Sequence, residues 1–569
     1  MPKKKTFLET IKTVFSPFIE NIEVSEPDPD KEGLVIEEAG GETTPVNHRD
    51  LMNVLPTQHH SNTNDPTTNQ KAAMTGANSP AAGNVFATMT DSPNANELAA
   101  IQGAASPSAS NVFATMNDAG GGGQTLFDAI VAPSGGDYTT IQAAIDAGKK
   151  TIFVRNGTYN ITSAITLTDK CQIIGESKEE TIIDAGGNNI VAIHIEGSNF
   201  HQSGSIAINN GSTTVTGSGT NFSSGMVGRQ ILLDGKLYQI SAFTDTTHIT
   251  ITTAYRGKSM SGQTAYYIAN NLSVRVSNLA VSNVGGGSGI IYCKYVKDSR
   301  FENLRLFDNV TASGCFKTNY FVNNIIKDCQ IGKGQGGVLF DDYSMSNCIQ
   351  RNVASKITTG NGFGLQGYNT KYNQIIDNNC SYNNAYGVSI LQGKYNMIAN
   401  NICNNNGNYG IMINEADNNY ISNNEIKNNY YSGIKIDQAN YCIVNNNYFY
   451  DNYDNSNYGA IYVYKGDNNL ISGNKIYLSN YGIYVYNSNK NCITGNYIYD
   501  PDSHGIYLWT NSDNNALTVN YIYQAGGWGI IIGGLENDSF VHGNYFLTCA
   551  SGGLSDGGIA TTASDNLTK

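Results

Sequence analysis

The sequence predicts an all-β chain whose longest part is a solenoid, a parallel coil of short stacked strands. Three observations carry this. A short phrase recurs: an apolar residue, a second inward residue three positions on, and another apolar residue two further on. It starts at Val276, Phe301, Ile326, Ile349, Ile375, Ile398, Ile421, Val444, Ile471, Ile493, Leu517 and Val541, in steps of 22 to 27 residues. From the fourth copy on the middle residue is asparagine: Asn352, Asn378, Asn401, Asn424, Asn447, Asn474, Asn496, Asn520 and Asn544. Each repeat also carries a glycine followed by alternating apolar residues, as in Gly410, Ile411, Met412, Ile413 or Gly505, Ile506, Tyr507, Leu508, the pattern of a half-buried strand.

Stacked turns place like residues about 4.8 Å apart. The apolar positions then form an interior column and the asparagines a second one. An amide carries donors and an acceptor, so such a row can bond from turn to turn and to a bend's backbone. The three earlier copies hold Leu279, Leu304 and Cys329 at that place.

Composition narrows the function classes. Of 569 residues only 14% are charged and the net charge is -13, which argues against a nucleic-acid partner. The Lys3–Lys5 run is followed by an interrupted apolar pattern, unlike a secretory signal. No run of eighteen apolar residues exists, so no transmembrane helix is expected. The ten cysteines show no metal-ligand spacing, and Cys329, Cys380 and Cys403 read as buried thiols. Neither a metal nor a cofactor is expected.

Five segments follow in order. In residues 1–46, Phe7, Leu8, Ile11, Val14, Phe15, Phe18 and Ile19 have helical spacing, broken by Pro17, before an acidic linker. This reads as a docking peptide for a larger assembly, as a helix that packs on its own trimer or domain, or, given Lys3–Lys5, as a membrane-surface helix. Residues 47–122 are poor in large apolar side chains and repeat one phrase, Ser79–Met89 and Ser106–Met116. Such a segment buries surface only by pairing with sister chains, as a stalk. The phrase resembles stalk repeats of tail fibres and tailspikes of tailed viruses. His48, His59 and His60 read as solvated loop histidines rather than metal ligands.

After a glycine hinge at Gly120–Gly123, residues 123–202 contain Asp137–Ile145, Thr151–Tyr159 and Cys171–Gly175. These resemble the opening turns of the pectate-lyase-like right-handed β-helix superfamily. The resemblance implies a right-handed coil whose open end is capped by a short helix. Residues 203–270 break the period and show short alternating runs joined by turn residues such as Asp234-Gly235. They read as a small inserted β-barrel, similar to modules of viral baseplates and tailspikes, serving as glycan binder, spacer or subunit contact. Residues 271–569 are the β-helix repeats.

No HExxH or P-loop motif appears, so chemistry is sought on the coil's outer face. Alternate residues after each strand glycine point outward. Three consecutive turns present two aromatics each: Tyr462 and Tyr464, Tyr484 and Tyr486, Tyr507 and Trp509. Aromatic rings suit stacking on sugars, a subunit contact, or a solvated ladder across turns. Asp500 and Asp502 also count as carboxylates near this face, but Glu415 and Asp437 lie on adjacent turns and form the candidate acid pair for glycoside hydrolysis, which needs carboxyl groups about 5–5.5 or 6.5–9.5 Å apart. The bland reading is two solvated acids. Asp341 and Asp342 are a weaker candidate for catalysis or calcium, because the matching outward positions are Gln366 and Leu391.

The resemblance as a whole implies a virion tailspike or tail-fibre protein, a homotrimer gripped by tail or baseplate proteins through residues 1–46, that binds host surface glycan. A glycan depolymerase on the same scaffold and a purely structural virion or cell-surface protein stand as alternatives. The chain ends soon after the last copy of the phrase, so trimer contacts are expected along the stalk and the coil sides.

Overall fold

A computed structural model describes residues 126–569, except 202, 265, 283, 286–288, 309–313, 335, 453–458 and 535–536. The expected docking peptide, the stalk and its three histidines lie outside the described residues.

The described chain winds a right-handed parallel β-helix with three strand-bearing faces. One face is a sheet of 16 strands, from Ala129–Val131 to Thr562–Ser564. A second has 14 strands, from Ile165–Thr166 to Gly552–Asp556. The third consists of ladders of six and seven strands, joined by single bridges Val353↔Asn379, Asn379↔Ile402 and Ile402↔Glu425. The recurring phrase begins on the 16-stranded sheet. There its first residues pair in register, for example Val276↔Phe301, Ile375↔Ile398, Ile398↔Ile421 and Leu517↔Val541. All four of Ile375, Ile398, Ile421 and Leu517 are fully buried.

Two residues after each phrase start the backbone turns left-handed, at Asn278, Asn303, Asp328, Arg351, Asp377, Asn400, Asn423, Asn446, Gly473, Gly495, Val519 and Gly543, and again one turn further on at Asp565. This single residue bends the chain from the first face into the third, and Asn, Asp and Gly tolerate the conformation best. The next residue is the ladder asparagine, on the inside of the bend. The N–H of Asn401 donates to Oδ1 of Asn424 at 2.9 Å, and its Nδ2 donates to the same oxygen at 3.0 Å and to the Ile375 carbonyl at 2.8 Å. The same pattern holds from Asn352 to Asn544, which continues to Asn566. A buried bend leaves backbone groups that must find partners, and the stacked amides supply them.

A second amide ladder sits two residues before the phrase: Asn324, Asn347, Asn373, Asn396 and Asn419, then Asn469, Asn491 and Asn515. A third, shorter one joins Asn383, Asn406, Asn429 and Asn452. Most strands of the 14-stranded sheet open on glycine, because turns crowd there. A Cβ on Gly505 would lie 2.5 Å from both the Gly529 carbonyl oxygen and Ile522 Cγ2. Cys380 and Cys403 stack inside the coil, fully buried, with sulfurs 2.8 Å apart.

The helix Ile141–Asp146 starts at Thr140, whose hydroxyl accepts from the Ala143 N–H at 3.3 Å, and buries Ile141, Ala144 and Ile145 in the first turns. Between Ser198 and Asn270 the period is interrupted by an eight-stranded antiparallel sheet with its own core, including Ile206, Phe222, Ile231 and Ile249. The coil resumes in register across it, with Ile193↔Ile291 and Ile173↔Val276. The antiparallel unit is seated on the coil: Leu232, Tyr267 and Ala269 pack against Tyr295, Val322, Tyr343 and Met345.

Candidate functional site

The aromatic positions expected to share one face do so on the 14-stranded sheet. The registers are Lys435↔Tyr462 and Asp437↔Tyr464, Tyr462↔Tyr484 and Tyr464↔Tyr486, then Tyr484↔Tyr507 and Tyr486↔Trp509. Glycine-led alternation sends these side chains outward. Their rings stack along the coil: Tyr462 on Tyr484 at 5.2 Å and 10°, Tyr464 on Tyr486 at 5.6 Å and 21°, Tyr484 on Tyr507 at 5.3 Å and 24°. Trp509 closes the row 5.4 Å from Tyr507.

The six rings are not equally open. Tyr462 and Tyr484 are covered by their neighbours, 9% and 8% exposed, whereas Trp509 is 42% exposed. Tyr464, Tyr486 and Tyr507 lie between these limits. Two more residues complete the platform: Tyr481, which the alternation rule passes over, and Lys435, which stands in the same outward column as Tyr462. Tyr481, just before Gly482, packs 5.4 Å from both Tyr484 and Tyr507. Lys435 brings its ammonium 5.5 Å from the Tyr462 ring and 5.4 Å from Tyr464, a cation–π arrangement, while holding Asp437 at 2.9 Å.

His504 forms one edge. Its ring lies 5.8 Å from Tyr481, and Nδ1 accepts from the Trp528 N–H at 2.9 Å. The ring proton is thereby placed on Nε2. Burial lowers the His504 pKa, so the neutral donor form is favoured.

The candidate acids are adjacent but each is already engaged. The Glu415 N–H donates to the Asp437 carbonyl at 2.9 Å, so the two backbones abut. The Glu415 carboxylate accepts from Gln392 Nε2 at 2.9 Å, and Asp437 pairs with Lys435. Asp341 lies toward the early turns, 3.6 Å from Lys317, and burial raises its carboxyl pKa against that lysine's charge. Asp342 accepts from the Asn369 N–H at 3.4 Å. Asp500 belongs to the third face, on the strand Tyr497–Pro501, with Asp502 just beyond it. Among the described residues no cluster of three or more His, Cys, Asp or Glu could hold a metal ion.

A second aromatic face escaped the sequence reading. On the seven-stranded ladder Tyr497 stacks on Tyr521 at 5.3 Å, Tyr521 on Tyr545 at 4.7 Å, and Tyr499 meets Tyr523 at 5.0 Å. Its signal is present: tyrosine directly follows the ladder asparagines Asn447, Asn496, Asn520 and Asn544.

A family model agrees on the coil. The right handed beta helix region model matches residues 334–458, and the model of the periplasmic copper-binding protein NosD matches 404–526 and 455–551. No curated protein matches the sequence. Among solved structures, the chain is similar to the tailspike gp61 of Pseudomonas phage phi297, at 12% identity and TM-score 0.45, over 71% of this chain and 72% of that one. It is similar to the tailspike gp54 of Acinetobacter baumannii bacteriophage AP22, solved with a capsular saccharide, at 13% identity and TM-score 0.43, over 72% and 73%. The tailspike gp49 of Pseudomonas phage LKA1 aligns at 14% identity and TM-score 0.40, over 74% and 75%.

Proposed function

We propose that this chain is a virion adsorption protein, a tailspike or tail fibre, that holds host surface glycan on the aromatic face ending at Trp509. The observation that carries this is the ordered row Tyr462, Tyr484, Tyr507, Trp509. Its inner rings are fixed by stacking and its outer ring stays open. An open ring held rigidly on a stacked aromatic floor pairs with the C–H face of a sugar, and phenol and imidazole donors at the rim reach the hydroxyls. The stalk phrase and the opening motif of the coil support a virion setting. Trimerisation through stalk and coil sides, and attachment to tail or baseplate proteins through residues 1–46, belong to the same reading.

The test is binding of the purified chain to an array of bacterial surface oligosaccharides. Trp509→Ala and Tyr486→Ala are expected to weaken binding about tenfold or more. Unchanged binding in both variants would sink the proposal. The depolymerase alternative rests on Glu415 and Asp437 abutting across turns. It is weakened because Gln392 and Lys435 already occupy those carboxylates. Size-exclusion profiles of the bound polysaccharide decide between the two. Adsorption alone leaves chain length unchanged, while shortening that disappears in Glu415→Gln or Asp437→Asn favours hydrolysis.

A further inference from the structure

The antiparallel unit and the coil enclose a cleft of about 600 Å³ that lies well away from the aromatic row. Its walls come from both parts. Gln230, Lys236 and Leu237 belong to the antiparallel unit, and Lys297, Asp298 and Asn323 to two successive corners of the coil. The cleft is preformed because its walls are locked together. The hairpin Leu233–Lys236 turns tightly through Asp234 and Gly235, both with positive φ. Its tip rests on the coil: Ser346 Oγ donates to the Gly235 carbonyl at 3.2 Å, and Tyr372 Oη donates to Asp234 at 3.4 Å. A Cβ on Gly235 would stand 3.0 Å from the Tyr372 ring, so glycine lets the turn seat closely. Tyr267 adds a buried anchor, edge-on to Tyr320 and Tyr343 at 5.0 and 5.9 Å.

The lining selects a ligand class. A volume of this size falls within the range of about 300–1,000 Å³ typical of small-molecule sites. Amides line both walls, and amides donate and accept as sugar hydroxyls do. Leu237 offers an apolar patch for a sugar's C–H face. The charges do not cancel. Lys297 is paired with Asp298 at 3.2 Å, and Asn323 Nδ2 donates to Asp298 at 2.7 Å. The backbone of Lys236 pairs with Leu233 in the hairpin, but its side chain is exposed and, among the described residues, its ammonium carries no ion pair or hydrogen bond. One uncompensated ammonium in an otherwise neutral amide cleft suits a short glycan segment bearing one acidic group.

We propose that this cleft is a second glycan subsite, specific for an acidic sugar, built jointly by the antiparallel unit and the coil. The proposal extends the glycan-binding reading to a site that shares no residue with the aromatic row. Two subsites on one rigid body would engage one long polysaccharide at separate points and multiply its retention.

The test uses the full chain on an array holding both acidic and neutral bacterial oligosaccharides. Lys236→Glu and Lys297→Ala change exposed or partly exposed side chains, and their melting temperatures verify folding. The expected result is a loss of about tenfold or more in affinity for acidic glycans, with neutral ones unaffected. Wild-type binding of acidic glycans by both variants overturns the subsite. If Trp509→Ala abolishes binding while Lys236→Glu does not, the aromatic face stands and the cleft proposal falls. If the wild-type chain binds no glycan, both fall.

Discussion

The ring of Tyr462 lies 5.2 Å from that of Tyr484 and only 10° from parallel with it, although 21 residues separate the two positions in the chain. The pair is a floor rather than a contact surface, since each ring is more than nine-tenths covered. Removing a floor ring therefore differs from removing an open one. Tyr484→Ala should cost about 2–4 kcal/mol in unfolding free energy, as truncation of a buried aromatic does. Trp509→Ala should leave the melting temperature nearly unchanged while weakening glycan binding. Thermal melts and array binding on the two variants separate the roles.

The amide ladder makes a sharper demand on stability. Asn424 Oδ1 accepts from the backbone of Asn401, and its Nδ2 donates to the Ile398 carbonyl at 3.0 Å and to Asn447 at 2.9 Å. Asn424→Ala strands the buried Asn401 N–H, at about 1–3 kcal/mol, and removes one of two donors from the Ile398 carbonyl. Asn424→Leu should be no milder, even though Leu279 and Leu304 occupy this column in the early turns. Denaturant unfolding measures both variants. Wild-type stability in either would show that the ladder is not a source of cohesion.

Val519 points the other way. It takes the left-handed corner conformation, φ 55°, that Asn, Asp or Gly adopts at most other turns, and its side chain is 63% exposed. A β-branched residue there stores about 1–3 kcal/mol of strain. Val519→Asn should raise the melting temperature, with no burial lost.

Acid sensitivity should trace partly to Glu302. Burial alone would raise its pKa, but Lys327, Arg275 and Arg300, at 3.2, 3.0 and 3.5 Å, outweigh burial and hold it below the ordinary value of 4.5. A carboxylate whose folded pKa is depressed adds stability above its unfolded value and loses it as pH falls through the folded one. Wild type should therefore lose stability below about pH 4.5, and Glu302→Gln should be less stable at neutral pH with a flatter acid limb. Parallel slopes for the two proteins would rule this out.

Much of the coil was legible because its period is written in residues with one job each. The pairing of Ile375 with Ile398, and of Tyr486 with Trp509, follows from counting along the chain. The second amide ladder was not read, because Asn373 and Asn396 sit among many other asparagines and precede the apolar mark that sets the count. The closing of Tyr462 and Tyr484 was not legible either. It depends on Tyr481 and Lys435, whose approach is set by how far each turn leans over its neighbour. The cleft beside Lys236 joins residues from strands far apart in sequence, and no local pattern announces it.

Each rung of the asparagine column offers its neighbour the same bonds it receives. A turn is thus an interchangeable module, and the coil can lengthen or shorten by whole turns of about 4.8 Å without a new joint. The molecule carries a built-in ruler. Excising one turn, such as residues 398–420, would move the Trp509 end closer to the hairpin by one graduation and leave both surfaces intact.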